Sequence, residues 1–145
     1  MKRIHLLALA IVVGAIAGVS VVQSVGATTG TASIEVRKVL SPSTDPGKFN
    51  LIVRHTAGAL VTEAANVGNG GHTSRVTITA GQQYTVEELA GTNSSLSNYT
   101  SSLDCFVSSG PDAGKHYTVA GTGWVFIATA GDKYTCTFTN TRRNG

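Results

Sequence analysis

The sequence predicts an all-β protein, a small antiparallel β-sandwich of seven or eight short strands behind an N-terminal export signal. Three observations predict it. Apolar residues recur at every second position in short runs, the spacing of a strand with one buried face. Turn residues punctuate the chain between those runs, with 17 Gly in 145 residues and abundant Thr and Ser. Beyond the leader no stretch carries a helical period, and no internal repeat suggests a solenoid.

The chain opens with Lys2 and Arg3, an apolar run from Leu6 to Val22, and the small residues Val25, Gly26 and Ala27. That is the layout of a signal peptide cleaved after Ala27, which leaves residues 28–145 as one sandwich domain. The run is also long enough to span a bilayer, so a retained anchor is the alternative. The small residues that interrupt the run and precede the cleavage point favour removal. Of the 11 Lys and Arg, Lys2 and Arg3 go with the leader, leaving nine bases against 8 acids, a net charge of +1. The basic character is therefore a property of targeting and argues against a nucleic-acid partner.

In the first strand signal, residues 32–40, Ile34, Val36, Lys38 and Leu40 share one face and Ser33, Glu35, Arg37 and Val39 the other. Asp45-Pro46-Gly47-Lys48 reads as a turn, and residues 49–54 then place Phe49, Leu51 and Val53 together. GNGGH at 68–72 reads as a flexible hairpin turn before residues 74–80, where Val76 and Ile78 point inward. Residues 84–89 follow a turn at Gly81, and the polar stretch 91–98 reads as a loop. Strands at 99–107, at His116–Val119, in GWVFIATA and in KYTCTFTN complete the chain, the last two separated at Gly131-Asp132.

Cys105 and Cys136 are the only cysteines. In an exported chain an even count most economically means one disulfide, and both residues fall on inferred inward faces, which suits a bridge inside the sandwich. Buried free thiols or a redox pair are the alternatives, although no CxxC spacing is present.

Three strands share one anomaly. Continuing the inward registers by two residues reaches Lys38 from Val36, Glu88 from Val86, and Asn140 from Phe138. An amine, a carboxyl and a carboxamide are thus aimed at the core, where an unpaired polar group costs about 1 to 3 kcal/mol. Chemistry offers a shared reason. Desolvation favours a neutral, nucleophilic lysine and a protonated glutamic acid, which can relay a proton while the amine attacks the Asn side-chain amide. Close packing supplies the effective concentration for an intramolecular isopeptide bond, without metal or cofactor. The alternatives are a buried Lys38–Glu88 ion pair hydrogen-bonded to Asn140, or strand-end polar groups facing water. Glu87 lies beside Glu88, so a one-residue shift would exchange their roles.

In these residues the chain resembles a known family. A first strand ending IEVRK, a YTVEE strand with an inward Glu and a terminal CTFTNT strand look like the collagen-adhesin B-type domains of bacterial surface proteins and pilins. These are also called prealbumin-like or transthyretin-like fold domains, immunoglobulin-like sandwiches in outline. The resemblance covers about residues 32–141. It implies that Lys38 and Asn140 are joined and that Glu88 assists. The chain departs from the family's common pattern after the Glu, with Leu89-Ala90-Gly91 in place of a Thr and a Pro-Gly-Tyr segment.

Other constellations give little. His55, His72 and His116 have no zinc-ligand spacing, no GxSxG marks a nucleophile, and GNGGH lacks the lysine of a phosphate loop. Trp124, with Tyr99 and Tyr117, is a candidate platform for a sugar ring, against the alternative that a Trp in GWVFI packs in the core. The expected function is a secreted or cell-surface structural and adhesive domain with an extracellular protein or glycan as partner. It is not a turnover enzyme, since isopeptide formation happens once per molecule. The membrane enters only through the leader during export. The ending TRRNG lacks a sortase signal, so covalent wall anchoring is not expected. A carbohydrate-binding module is the alternative function.

Overall fold

The computed structural model describes residues 30–144. The leader inferred at 1–27 lies outside the described residues. Nine strands form two facing sheets, with one short helical turn (Leu96–Asn98) between them in sequence. The first sheet holds β1 (Thr31–Ser41), β4 (Val76–Thr79), β6 (Tyr99–Val107), β7 (His116–Ala120) and β9 (Lys133–Arg142), in the order β4-β1-β9-β6-β7. The second holds β2 (Phe49–His55), β3 (Leu60–Val67), β5 (Gln83–Ala90) and β8 (Gly123–Ile127), in the order β3-β2-β5-β8. The all-β sandwich is as the sequence predicts.

The structure corrects three details. β3 is a ninth strand that the sequence reading did not assign. It is an edge strand with no fully buried residue and irregular pairing to β2, so no clean alternation marks it. β1 and β9 pair in parallel, in an otherwise antiparallel sandwich. The GNGGH stretch is no hairpin turn. It crosses from β3 in one sheet to β4 in the other and lies along the edge of β1, where Lys38 N–H donates to Gly71 O and Gly70 N–H to Lys38 O. Thr73 extends this contact, its N–H donating to Val36 O and its Oγ1 accepting from Val36 N–H. The cysteine bridge lies on the inward face, inside the sandwich, and joins β6 to its neighbour β9.

The main core is built from the expected alternate residues, among them Ile34, Val36, Leu51, Val53, Val86, Leu103, Tyr134 and Phe138. A smaller cluster of Leu40, Phe49 and Tyr99 caps one end, with Phe49 and Tyr99 packed edge to face at 5.2 Å. Along β1 the main cluster ends at Val36 and the small one begins at Leu40. Lys38 stands between them.

Candidate functional site

Lys38, Glu88 and Asn140 meet in this gap between the two apolar clusters. Strict alternation brings each there: Lys38 from β1, Asn140 from the adjacent β9, and Glu88 from β5 on the facing sheet. The three residues are 1 %, 1 % and 0 % exposed, which excludes the reading of strand ends facing water. Lys38 Nζ is 2.7 Å from Glu88 Oε1 and donates a 3.2 Å hydrogen bond to the carbonyl of Phe138. The ring of Phe49 lies under the amine, 4.8 Å from its centroid. Glu87, one residue away, points outward to a surface pair with Arg54, so the register assigns the buried role to Glu88.

The parallel pairing sets the reach. Lys38 is opposite Phe138 and Leu40 is opposite Asn140, so Lys38 and Asn140 are diagonal neighbours on one face of adjacent strands. Such neighbours are within reach of a long side chain.

Polar satisfaction is incomplete here. Despite the close Lys38 contact, neither oxygen of Glu88 has a well-aligned hydrogen bond, and both Oδ1 and Nδ2 of Asn140 lack one. Each such atom carries a desolvation cost on the order of 1 to 3 kcal/mol, and these four are the buried side-chain atoms so placed among the described residues. Burial pushes the Lys38 amine below the usual lysine range, against the opposing charge and contact of Glu88. Burial likewise pushes the Glu88 carboxyl up, against Lys38 and the Asn140 amide. Both groups are displaced toward their neutral forms. The site holds a desolvated amine, a carboxyl pushed toward its protonated form and an amide with no well-aligned hydrogen bond, a set that could support attack on the Asn140 side chain.

Cys105 and Cys136 form a disulfide across directly opposed residues of β6 and β9. Trp124 is half-buried against the main core. It stacks on Phe126 at 4.6 Å and on Tyr117 at 5.2 Å, in a row bridging edge strands β8 and β7. Its ring already has stacking partners within the fold. Tyr99, the other candidate aromatic, is buried in the capping cluster. Among the described residues no cluster of His, Cys, Asp or Glu is placed to hold a metal ion.

A second buried polar group escaped the sequence reading. Asp45 accepts hydrogen bonds from Tyr99 Oη (2.7 Å), Gly47 N–H (2.8 Å) and the guanidinium of Arg142. These donors, led by Arg142, hold its carboxyl far below the usual aspartate range. Gly47 is required, because a Cβ there would run into the Tyr99 hydroxyl and the Asp45 carboxylate. The signal was available: Arg142 is the next residue in the inward register after Asn140.

Several solved structures are similar to this chain. The major pilin of Streptococcus pyogenes is 18 % identical, covering 78 % of this chain and 48 % of its own, with a TM-score of 0.45. An adhesin of Mobiluncus mulieris, described as containing intramolecular disulfide, isopeptide and ester bond cross-links, is 15 % identical over 77 % of this chain and 41 % of its own, with a TM-score of 0.46. A pilus-presented adhesin is 17 % identical over 79 % of this chain and 28 % of its own, with a TM-score of 0.39. The chain spans about half of these relatives or less. No curated protein matches it. The family model of the prealbumin-like fold domain matches residues 33–142, from the third residue of β1 to the last of β9, and the chain belongs to that family.

Proposed function

We propose that this chain is an exported structural domain of the cell surface, strengthened by an autocatalytic isopeptide bond between Lys38 and Asn140. The observation that carries the reading is the buried Lys38–Glu88–Asn140 group with its unengaged amide. Within the pair, Glu88 takes a proton from the Lys38 ammonium, leaving a neutral amine. Nζ attacks Cγ of Asn140, Glu88 gives its proton to Nδ2, which departs as ammonia, and Glu88 then takes the second proton that Nζ sheds as it becomes an amide nitrogen. The Nζ–Cγ amide replaces the Cγ–Nδ2 bond with no oxidant or cofactor consumed. The reaction occurs once, so the domain is not a turnover enzyme. Its partners are extracellular proteins or glycans. The Tyr117–Trp124–Phe126 row is packing between sheet edges.

The reading is tested by the intact mass of the reduced protein beside its Lys38→Ala variant. The wild type is expected to be one ammonia lighter than its sequence and the variant to match its own. A wild type at full mass would leave Lys38, Glu88 and Asn140 as a polar cluster only.

A further inference from the structure

We infer that the Cys105–Cys136 disulfide is a positioning element for the isopeptide site: it forms first and fixes the register in which Asn140 comes within reach of Lys38. The inference rests on the crosslink proposed above. On the outward face of β9, Thr135, Thr137, Thr139 and Thr141 alternate with the inward residues Tyr134, Cys136, Phe138 and Asn140. This face is nearly blind to a two-residue slip, because three of the four places receive another Thr and the outermost receives Lys133. So is the inward face. If β9 slides so that Phe138 takes the place of Asn140, then Cys136 takes that of Phe138 and Tyr134 that of Cys136, so these three positions stay apolar, and only the place of Tyr134, at the start of the strand, receives a charged residue, Asp132. Alternation, which normally specifies register, does not exclude this arrangement. In it Asn140 is carried past Leu40 and away from Lys38.

The cysteine pair does exclude it. In the observed register β9 pairs with β6 so that Cys136 faces Cys105, Phe138 faces Leu103 and Asn140 faces Ser101. After the slip Cys105 would face Tyr134, and no disulfide could form. On the other side of the sheet, β1 is held at the level of Lys38 by the backbone bonds from Gly70, Gly71 and Thr73. With β1 fixed by that crossing segment and β9 fixed by the disulfide, Val36 lies opposite Cys136 and Asn140 falls at the diagonal position from Lys38. The order also follows from chain length. The cysteines are 31 residues apart, whereas Lys38 and Asn140 lie near opposite ends of the fold, and shorter loops close at lower entropic cost. The two steps balance separately. The two thiols give two electrons and two protons to an external disulfide such as oxidised glutathione, and the later amide exchange releases one ammonia.

The test follows ammonia loss by intact mass during refolding. The protein, unfolded and fully reduced, is diluted from denaturant into either oxidised glutathione or dithiothreitol, and samples are reduced before weighing. Ammonia loss is expected to be at least about tenfold slower in dithiothreitol, the scale on which small misplacements act. A Cys105→Val/Cys136→Val double variant, which keeps an apolar pair without a covalent tie, is expected to share the slow rate while near-UV circular dichroism reports a folded core. If the reduced chain does not fold, the folded double variant decides, and ammonia loss in it at the wild-type oxidised rate would overturn the inference. Equal rates in both buffers would overturn the inference and leave the crosslink intact. No ammonia loss under any condition would overturn the crosslink, and this ordering with it.

Discussion

Glu88 is buried beside two polar groups. Its carboxyl lies 2.7 Å from the Lys38 amine and next to the Asn140 amide. The Lys38 and Glu88 side chains could be replaced by hydrocarbon with little loss, because a buried ion pair is weak evidence for stability. Chemistry explains why they are retained. Glu88→Gln is expected to abolish ammonia loss while keeping shape, whereas Glu87→Gln, which removes an exposed pair with Arg54, is expected to leave the mass unchanged and cost no more than about 1 kcal/mol. Intact mass and a thermal melt of both variants decide between the neighbouring carboxyls. Asp45 supports a separate prediction. Its carboxyl titrates well below the ordinary value of 3.8 in the folded protein. A depressed folded-state value means stability that is fully present above that ordinary value and lost as pH falls below it. Asp45→Asn should therefore lower stability at neutral pH by about 2 to 3 kcal/mol, the scale of hydrogen bonds to a charged group. It should also flatten the acid limb of a stability curve followed by denaturant unfolding.

At the scale of the element, strict alternation made the site legible. β1, β5 and β9 each run inward at every second residue, so Lys38, Glu88 and Asn140 follow from period two alone. What alternation does not carry is partnership. Nothing in residues 32–40 or 133–140 says that the two strands lie side by side in parallel, since that depends on how the whole chain wraps. β3 was illegible for another reason. As an edge strand it has Ala64 and Ala65 at its middle and its pairing to β2 shifts on both sides, so it never shows a buried face. Arg142 was missed because the last strand was read only as far as Asn140, whereas β9 continues one step further inward. The disulfide was legible from the cysteine count and the inward faces, but that it joins neighbouring strands of one sheet depended on strand partnership. Removing it by the double Val substitution should cost about 3 to 4 kcal/mol through the unfolded chain, measured by denaturant midpoint.

For the whole molecule, the parallel pairing of β1 with β9 decides how tension is carried. Pulling the start of β1 against the end of β9 loads their ladder in shear, from Ser33 opposite Lys133 to Ser41 opposite Thr141. A bond from Lys38 to Asn140 diverts that load. It passes along β1 to Lys38, crosses to Asn140 and leaves, so the residues between them carry none. The bond also closes a loop of about 100 residues, worth on the order of 4 to 5 kcal/mol by the same chain-entropy reasoning as a disulfide. Single-molecule stretching should release almost no length from the wild type. The Lys38→Met variant, with its disulfide reduced, should release about 350 Å more on unfolding. The central claim is that Nζ of Lys38 is bonded to Cγ of Asn140, and the most direct measurement is tandem mass spectrometry of a reduced proteolytic digest. The account predicts a branched peptide in which the Lys38 and Asn140 segments are joined with the loss of one ammonia, absent from Lys38→Met and Glu88→Gln. Recovery of both segments from the wild type only as separate linear peptides at full mass would contradict it.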